Sequence, residues 1–144
     1  MKIVLTLIFI AVAALVAYIR LAPTDVTRWH IALHPRPAEI ATSSAQMVVL
    51  RGGAYIDLPL ADDLLSRLDA IVMATPRTVR LAGNVGEGRM TWITRSALWG
   101  FPDYTTAEVG PQGLTFYSRQ RFGDSDMGVN AARLAGWLAA LSKS

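Results

Sequence analysis

"RFGDSDMGVNAARLAGWL", residues 121–138, decides how this chain closes its fold, because a polar turn with two glycines runs straight into apolar residues at helical spacing. Leu134, Trp137, Leu138 and Leu141 fall three and four positions apart, the stripe of a helix with one buried face. Asn130 is expected as the N-cap, its side chain accepting a hydrogen bond from a backbone amide two or three residues on. Val129 and Leu134 then take the positions of a hydrophobic staple. Gly123 and Gly128 give the backbone room for a tight approach from strand to helix. Rival chemical readings of the same stretch fit worse. A calcium loop of the EF-hand kind, counted from Asp124, would need an oxygen ligand at Gly128, a glycine at Val129 and a glutamate at Ala135. "GDSDMG" lacks the Gly-x-Ser-x-Gly pattern of a nucleophile elbow, and the only histidines that could activate Ser125 are His30 and His34, far upstream.

Ahead of this turn lie four strand-like runs, "RTVRLAG", "RMTWITRSALW", "DYTTAEV" and "GLTFYSRQRF". Their connections, "NVGEG", "GFP" and "GPQ", are too short for helical crossovers, which predicts an antiparallel meander. "GNVGEG" joins two strands and opens no helix, so it is a hairpin loop and lacks the anion-binding end of a helix dipole. In the last run Leu114, Phe116, Ser118, Gln120 and Phe122 share one face, and Thr115, Tyr117, Arg119 and Arg121 the other. One face is apolar and the other basic, so helices are expected to cover one side. Upstream, "LADDLLSRLDAIVMATP" places Leu64, Leu65, Leu68, Ile71 and Val72 on a helical stripe, with Asp62 and Asp63 at its start and Pro76 beyond its end. "MVVLRGGAYIDL" (47–58) is compatible with a hairpin about Gly52 and Gly53. The expected architecture is α+β: an N-terminal transmembrane helix, then a small two-layer domain in which two helices pack an antiparallel meander sheet.

The N-terminal segment "MKIVLTLIFIAVAALVAYIRLA" carries no charge from Ile3 to Ile19. Residues 3–22 would give about 30 Å of helix at roughly 1.5 Å per residue, enough to cross a bilayer if Arg20 snorkels. The run is longer than the apolar region of a cleaved signal and exits through Tyr18, Ile19 and Arg20, a poor cleavage site, so residues 1–22 read as an uncleaved signal anchor. With no cysteine in the chain there is no lipid attachment, disulfide or thiolate chemistry. Lys2 and the amino terminus favour a cytoplasmic start, whereas Arg20, Arg28 and Arg36 count the other way. The export-signal look of the short tail places residues 23–144 on the periplasmic side of the inner membrane. Residues 23–46, with three prolines and a Thr-Ser-Ser patch, read as a tether to a globular domain at 47–144. In that tether Trp29 is expected at the lipid interface. His30 and His34 are four apart, but Pro35 and Pro37 disfavour a shared helix and no further ligand is near, so solvated side chains are expected there and no metal.

The formal charge of +3 does not mark a nucleic-acid binder, since the excess is small and only Lys2 and Lys143 of the 14 basic residues are lysines. Anionic headgroups suit Arg20 and Arg28 better, because both follow the span.

From about Leu60 to Leu141, and most specifically in "PRT" (76–78), "TRSALWGFPDY" (94–104) and "SRQRFGDSDMGVN" (118–130), the chain resembles the family known as domain of unknown function 1499. That family occurs in bacterial membrane or exported proteins and in plant plastids, and no activity is established for it. The matching positions are Arg95, Ser96, Asp103, Ser118, Arg121, Gly123, Ser125, Asp126, Gly128 and Asn130. Gln120 stands where the family often has serine, and Ala131 where a basic residue is common.

Gly123, Ser125, Gly128 and Asn130 are thereby assigned to a structural motif. Arg95, Asp103, Arg121 and Asp126 are left, and three readings stay open for them. They could form an internal network in which arginine forks meet carboxylates. They could line a pocket in which Arg95 and Arg121 receive an anionic envelope ligand. Or Asp103 and Asp126 could serve as the acid and base of a small hydrolase. The functional expectation is a membrane-anchored, non-catalytic binding or structural domain of the bacterial cell envelope, without cofactor or metal. Its partners would be the lipid bilayer through residues 3–22 and an envelope protein or anionic ligand. The alternatives are the hydrolase, or a carrier that holds an anionic or acyl ligand in a deep apolar cavity.

Overall fold

The computed structural model describes residues 1–144. Helix α1 (Lys2–Leu21) is apolar along its whole length and almost entirely exposed, with only Ile19 buried. It is the one helix long and apolar enough to cross a membrane. Next come a single turn of helix, α2 (Val26–Trp29), and a 3-10 turn at Ala38–Ile40. Strands β1 (Val48–Leu50) and β2 (Gly53–Leu58) form the expected hairpin. Helix α3 (Leu64–Met73) follows, then β3 (Thr78–Asn84), β4 (Arg89–Arg95), β5 (Pro102–Gly110), β6 (Gly113–Gln120) and α4 (Val129–Leu141).

All six strands join one antiparallel sheet in the order β1-β2-β6-β5-β4-β3. The meander β3 to β6 is as its short connections require, and the β1-β2 hairpin extends it by pairing β2 with β6. The connection from β2 to β3 must therefore cross the whole sheet, and α3 makes that crossing. Leu64, Leu65, Leu68 and Val72 of α3 and Leu134 and Trp137 of α4 bury their stripes against Ile56, Met90, Trp92, Leu114 and Phe116. Each such side chain contributes about 1.5–3 kcal/mol when removed from water.

Residues 23–46 are a folded strap and not a free tether. They lie on the second face of the sheet, where Leu33 and Ile40, both 0% exposed, pack with Tyr55 and Tyr117. Trp29 is buried too, stacked on Tyr104 at 3.9 Å between ring centroids with 9° between planes, so it does not reach the lipid interface. The domain thus has helices on one face of the sheet and a strap on the other. The basic face of β6 explains the strap's grip: the Arg119 guanidinium sits 5.0 Å from the Trp29 ring centroid and donates to the Trp29 carbonyl. Sequence periodicity had no purchase here, because a proline-broken strap buries isolated residues with no repeat.

The two histidines are half-buried and pinned within the strap, not freely solvated. His30 Nε2 accepts from Arg89 Nε at 3.3 Å, which leaves its proton on Nδ1, facing Thr91 Oγ1 at 2.9 Å. His34 lies against Thr115 and over Gly110. Beside them Arg36 donates to Asp57 at 2.6 Å, and Asp57 also accepts from Thr115, Ser43 and the Ser44 amide.

Acid should loosen this strap in two steps. Burial and the neighbouring Arg89 hold the His30 pKa below its usual value. Its contribution to stability is therefore present above about pH 6.5 and is lost as pH falls toward the folded pKa. Burial pushes the Asp57 carboxyl up, but hydrogen bonds from Thr115, Arg36, Ser44 and Ser43 outweigh it and leave the pKa lowered. That stability is present above about pH 3.9 and is lost below it. Protection factors of amides across residues 26–44, taken relative to the intrinsic exchange rate at each pH, are expected to fall between pH 7.5 and 5.5 more than those in α3 and α4. His30→Gln should remove that difference, and an equal fall in all three would refute the assignment.

Candidate functional site

The polar turn of residues 121–130 closes over the end of the sheet where β5 begins and β6 ends. Gly128, at φ 80°, is the residue that precedes α4, a left-handed conformation that glycine takes without penalty. Asn130 is not the cap. It is the second residue of α4, fully buried, and its side chain points into the sheet. The capping role belongs to Asp126, whose carboxylate accepts from the amides of Gly128 and Asn130, both at 3.0 Å. Val129 is half exposed, so the expected staple with Leu134 does not form. Ser125 accepts from the Met127 amide at the surface, and the Gly123 carbonyl accepts from Gln120.

Asn130 belongs to a buried polar knot. Arg133 Nη1 donates to Asn130 Oδ1 at 2.7 Å, which fixes the orientation of the amide. Ser118 Oγ donates to the same oxygen at 2.6 Å, and Ser118 meets Thr105 Oγ1 at 2.7 Å. Since the single Ser118 proton goes to Asn130, Thr105 is the donor in the last of these bonds. Arg133 Nη1 also reaches Asp103 Oδ2 at 3.0 Å, with the two side chains only 13% and 11% exposed. Burial pushes the Asp103 pKa up, Arg133 opposes this, and the nearby Asp126 charge adds to the rise. The direction is upward despite a close ion pair, because removing the carboxylate from water outweighs one counter-charge. Asn130 Nδ2 is the one buried side-chain polar atom without a partner.

The four residues singled out from the sequence therefore separate. Asp103 and Asp126 face the helix layer and are engaged by Arg133 and by backbone amides. Arg121 lies on the strap side, donating to the Tyr104 hydroxyl at 3.3 Å with its guanidinium 5.0 Å from the Phe122 ring centroid. Tyr104 in turn meets Thr24 Oγ1 at 3.0 Å. Arg95 donates to the Gly100 carbonyl at 2.9 Å and pairs with no carboxylate. Arg133 escaped the sequence reading, although its spacing of three from Asn130 puts both on one face of α4.

No group of three or more histidine, cysteine, aspartate or glutamate side chains is placed to hold a metal ion. Of five cavities on the protein, three bear on the site. One, of about 210 Å³, is lined by His34, Arg36, Asp57 and Thr115 among others, with no hydrophobic side chain. A second lies beside Trp29 and Arg119. The third, of about 440 Å³, is lined by Arg20, Arg77, Arg95 and Ser96 with their neighbours.

An apolar helix followed by an antiparallel sheet with two helices on one face defines a membrane-associated α+β protein. The chain belongs to the family described as protein of unknown function (DUF1499), which it matches over residues 35–141. The match begins inside the strap, twelve residues ahead of the first position assigned to the globular domain from sequence. No curated protein matches the chain. No solved structure matches it either.

Proposed function

We propose that this chain is a membrane-anchored, non-catalytic domain with a binding or structural role in the bacterial cell envelope, carried on the periplasmic side of the inner membrane by α1. The observation that carries the non-catalytic reading is the engagement of Asp103 and Asp126. One is tied to Arg133 and the other to two amides at the start of α4, so each carboxylate already has an architectural partner. A general base needs a free lone pair within reach of a substrate proton. The carrier alternative would need a deep apolar cavity, and the cavities here are lined mainly by polar and charged residues.

Two measurements test the proposal. Because the chain has no cysteine, a Ser144→Cys variant offers a single thiol for a membrane-impermeant maleimide. Labelling in intact spheroplasts is expected, and labelling only after lysis would reverse the orientation. The full chain in detergent should turn over neither phosphomonoesters nor carboxylic esters. Turnover that Asp126→Asn abolishes while the thermal midpoint is kept would establish the hydrolase instead.

A further inference from the structure

The cavity at the end of α1 has a composition that the polar knot does not explain. Its seven lining residues are Arg20, Arg77, Val79, Arg95, Ser96, Ala97 and Gly100, three guanidiniums without a carboxylate. None of the three arginines forms a salt bridge anywhere in the chain. Backbone carbonyls hold their stems. Arg20 donates through Nη2 to Leu98 at 3.1 Å and through Nε to Trp99 at 3.5 Å. Arg95 uses Nη1 on Gly100, and Arg77 uses Nε on the Arg95 carbonyl. Each guanidinium thus keeps N–H groups uncommitted, while the charge of all three stays uncompensated.

Two backbone features give the arrangement a built character. Gly100 sits at φ 77°, and a Cβ there would lie 3.0 Å from Arg20 Cγ, so the absent side chain is what lets Arg20 fold onto the turn. Arg77 follows Pro76 at φ 61°, the turn position that favours glycine, yet the chain places an arginine there.

The level of the cavity follows from α1. Arg20 lies in the last turn of a helix about 30 Å long, which puts its guanidinium at a headgroup layer if α1 spans the bilayer. Its hydrogen bonds bring the turn of residues 96–101 to the same level. That turn exposes Leu98 and Trp99, at 73% and 44%. An exposed tryptophan beside a helix end is where an interfacial anchor is expected.

We infer that the Arg20, Arg77 and Arg95 cavity binds a phosphate group, with the phosphodiester of an anionic phospholipid headgroup as its source and Leu98 and Trp99 resting against the adjoining acyl chains. The guanidinium fork matches the oxygens of a phosphate, and a net anionic headgroup is favoured over a zwitterionic one because nothing in the cavity can neutralise an ammonium. The inference rests on α1 being a membrane span, but not on which side of the membrane the domain lies.

Native mass spectrometry of the full chain from detergent micelles tests it. Dioctanoyl phosphatidylglycerol is expected to bind in preference to dioctanoyl phosphatidylcholine. Arg77→Gly and Arg95→Ala should each weaken the phosphatidylglycerol adduct about tenfold, as loss of one charge-assisted contact does. Arg77→Gly is the discriminating variant, because relief of the left-handed backbone should leave the thermal midpoint unchanged or higher while the lipid is lost. Arg51→Ala, which removes an exposed arginine paired with Asp124, should leave the adduct intact. Displacement of the lipid by millimolar glycerol phosphate would keep the phosphate site and assign it to a soluble ligand. Equal binding of the two lipids, or equal loss in Arg51→Ala, would overturn the inference. Both results are independent of the maleimide test, so the site and the orientation can fail separately.

Discussion

Arg133→Ala is expected to destabilise the domain by about 3–5 kcal/mol, because it leaves a buried carboxylate without its counter-charge. Arg133 is the only cation paired with Asp103, and both side chains are nearly enclosed between α4 and the sheet. Asn130 loses a donor at the same time and keeps only Ser118 on its amide oxygen. The double variant Asp103→Leu with Arg133→Met should recover most of the loss, since exchanging a whole buried pair for apolar groups of similar size is often neutral. Acid should narrow the single variant's deficit. Asp103 already has its pKa raised by burial, and loss of Arg133 removes the main influence opposing that rise. A carboxyl whose folded pKa lies above its unfolded value contributes stability below about pH 3.9 and loses it as pH rises through the folded pKa. Thermal denaturation in micelles at pH 4.5 and pH 8 should therefore show the larger gap from wild type at pH 8. A gap under about 1 kcal/mol at pH 8, the size usual for an exposed pair, would mean that the ion pair does not hold the knot.

The elements that repeat were legible in the sequence. The stripes of α3 and α4, the alternation in β6 and the short connections of the meander state their own periods, and the sheet follows from them. The polar turn was only partly legible. Asp126 and Asn130 both have side chains able to cap a helix, and the choice between them turns on where Ser118 and Arg133 lie in space. Ser118 sits twelve residues before Asn130, in β6, with the whole polar turn between them. No local pattern carries that information. Arg121 was legible by alternation, which sets it with Thr115, Tyr117 and Arg119 opposite the apolar face. The limit applies to Arg95, whose place on the strap side, away from Asp103, rests on the register of β4 with β5. The strap was hidden for another reason: its contacts are long-range and aperiodic, so its prolines spoke for a linker while its apolar residues were already committed to the sheet.

Trp29→Ala is expected to cost about 3–5 kcal/mol, a loss suited to a buried aromatic and not to an interfacial one. The indole stacks on Tyr104, packs near Ile93, and receives the guanidinium of Arg119 at 5.0 Å and of Arg28 at 5.4 Å. Its removal opens a void against Tyr104, which is itself fully buried. Arg119 would lose the ring that compensates its burial, and burial already holds its pKa below the usual arginine value. The α2 end of the strap should then loosen first, because α2 is a single turn with no other buried side chain, while Leu33, Ile40 and the Arg36–Asp57 pair still hold the rest. Exchange of the Leu33 amide, which donates to the Glu108 carboxylate, would report how far the loosening spreads. Trp99→Ala supplies the contrast. Trp99 is half exposed, so its loss should change the thermal midpoint by less than about 1 kcal/mol equivalent while weakening retention on lipid vesicles of the chain lacking residues 1–17. The reverse pattern, a stable Trp29→Ala that releases lipid and an unstable Trp99→Ala, would return Trp29 to the membrane surface and dismiss the strap as a structural layer.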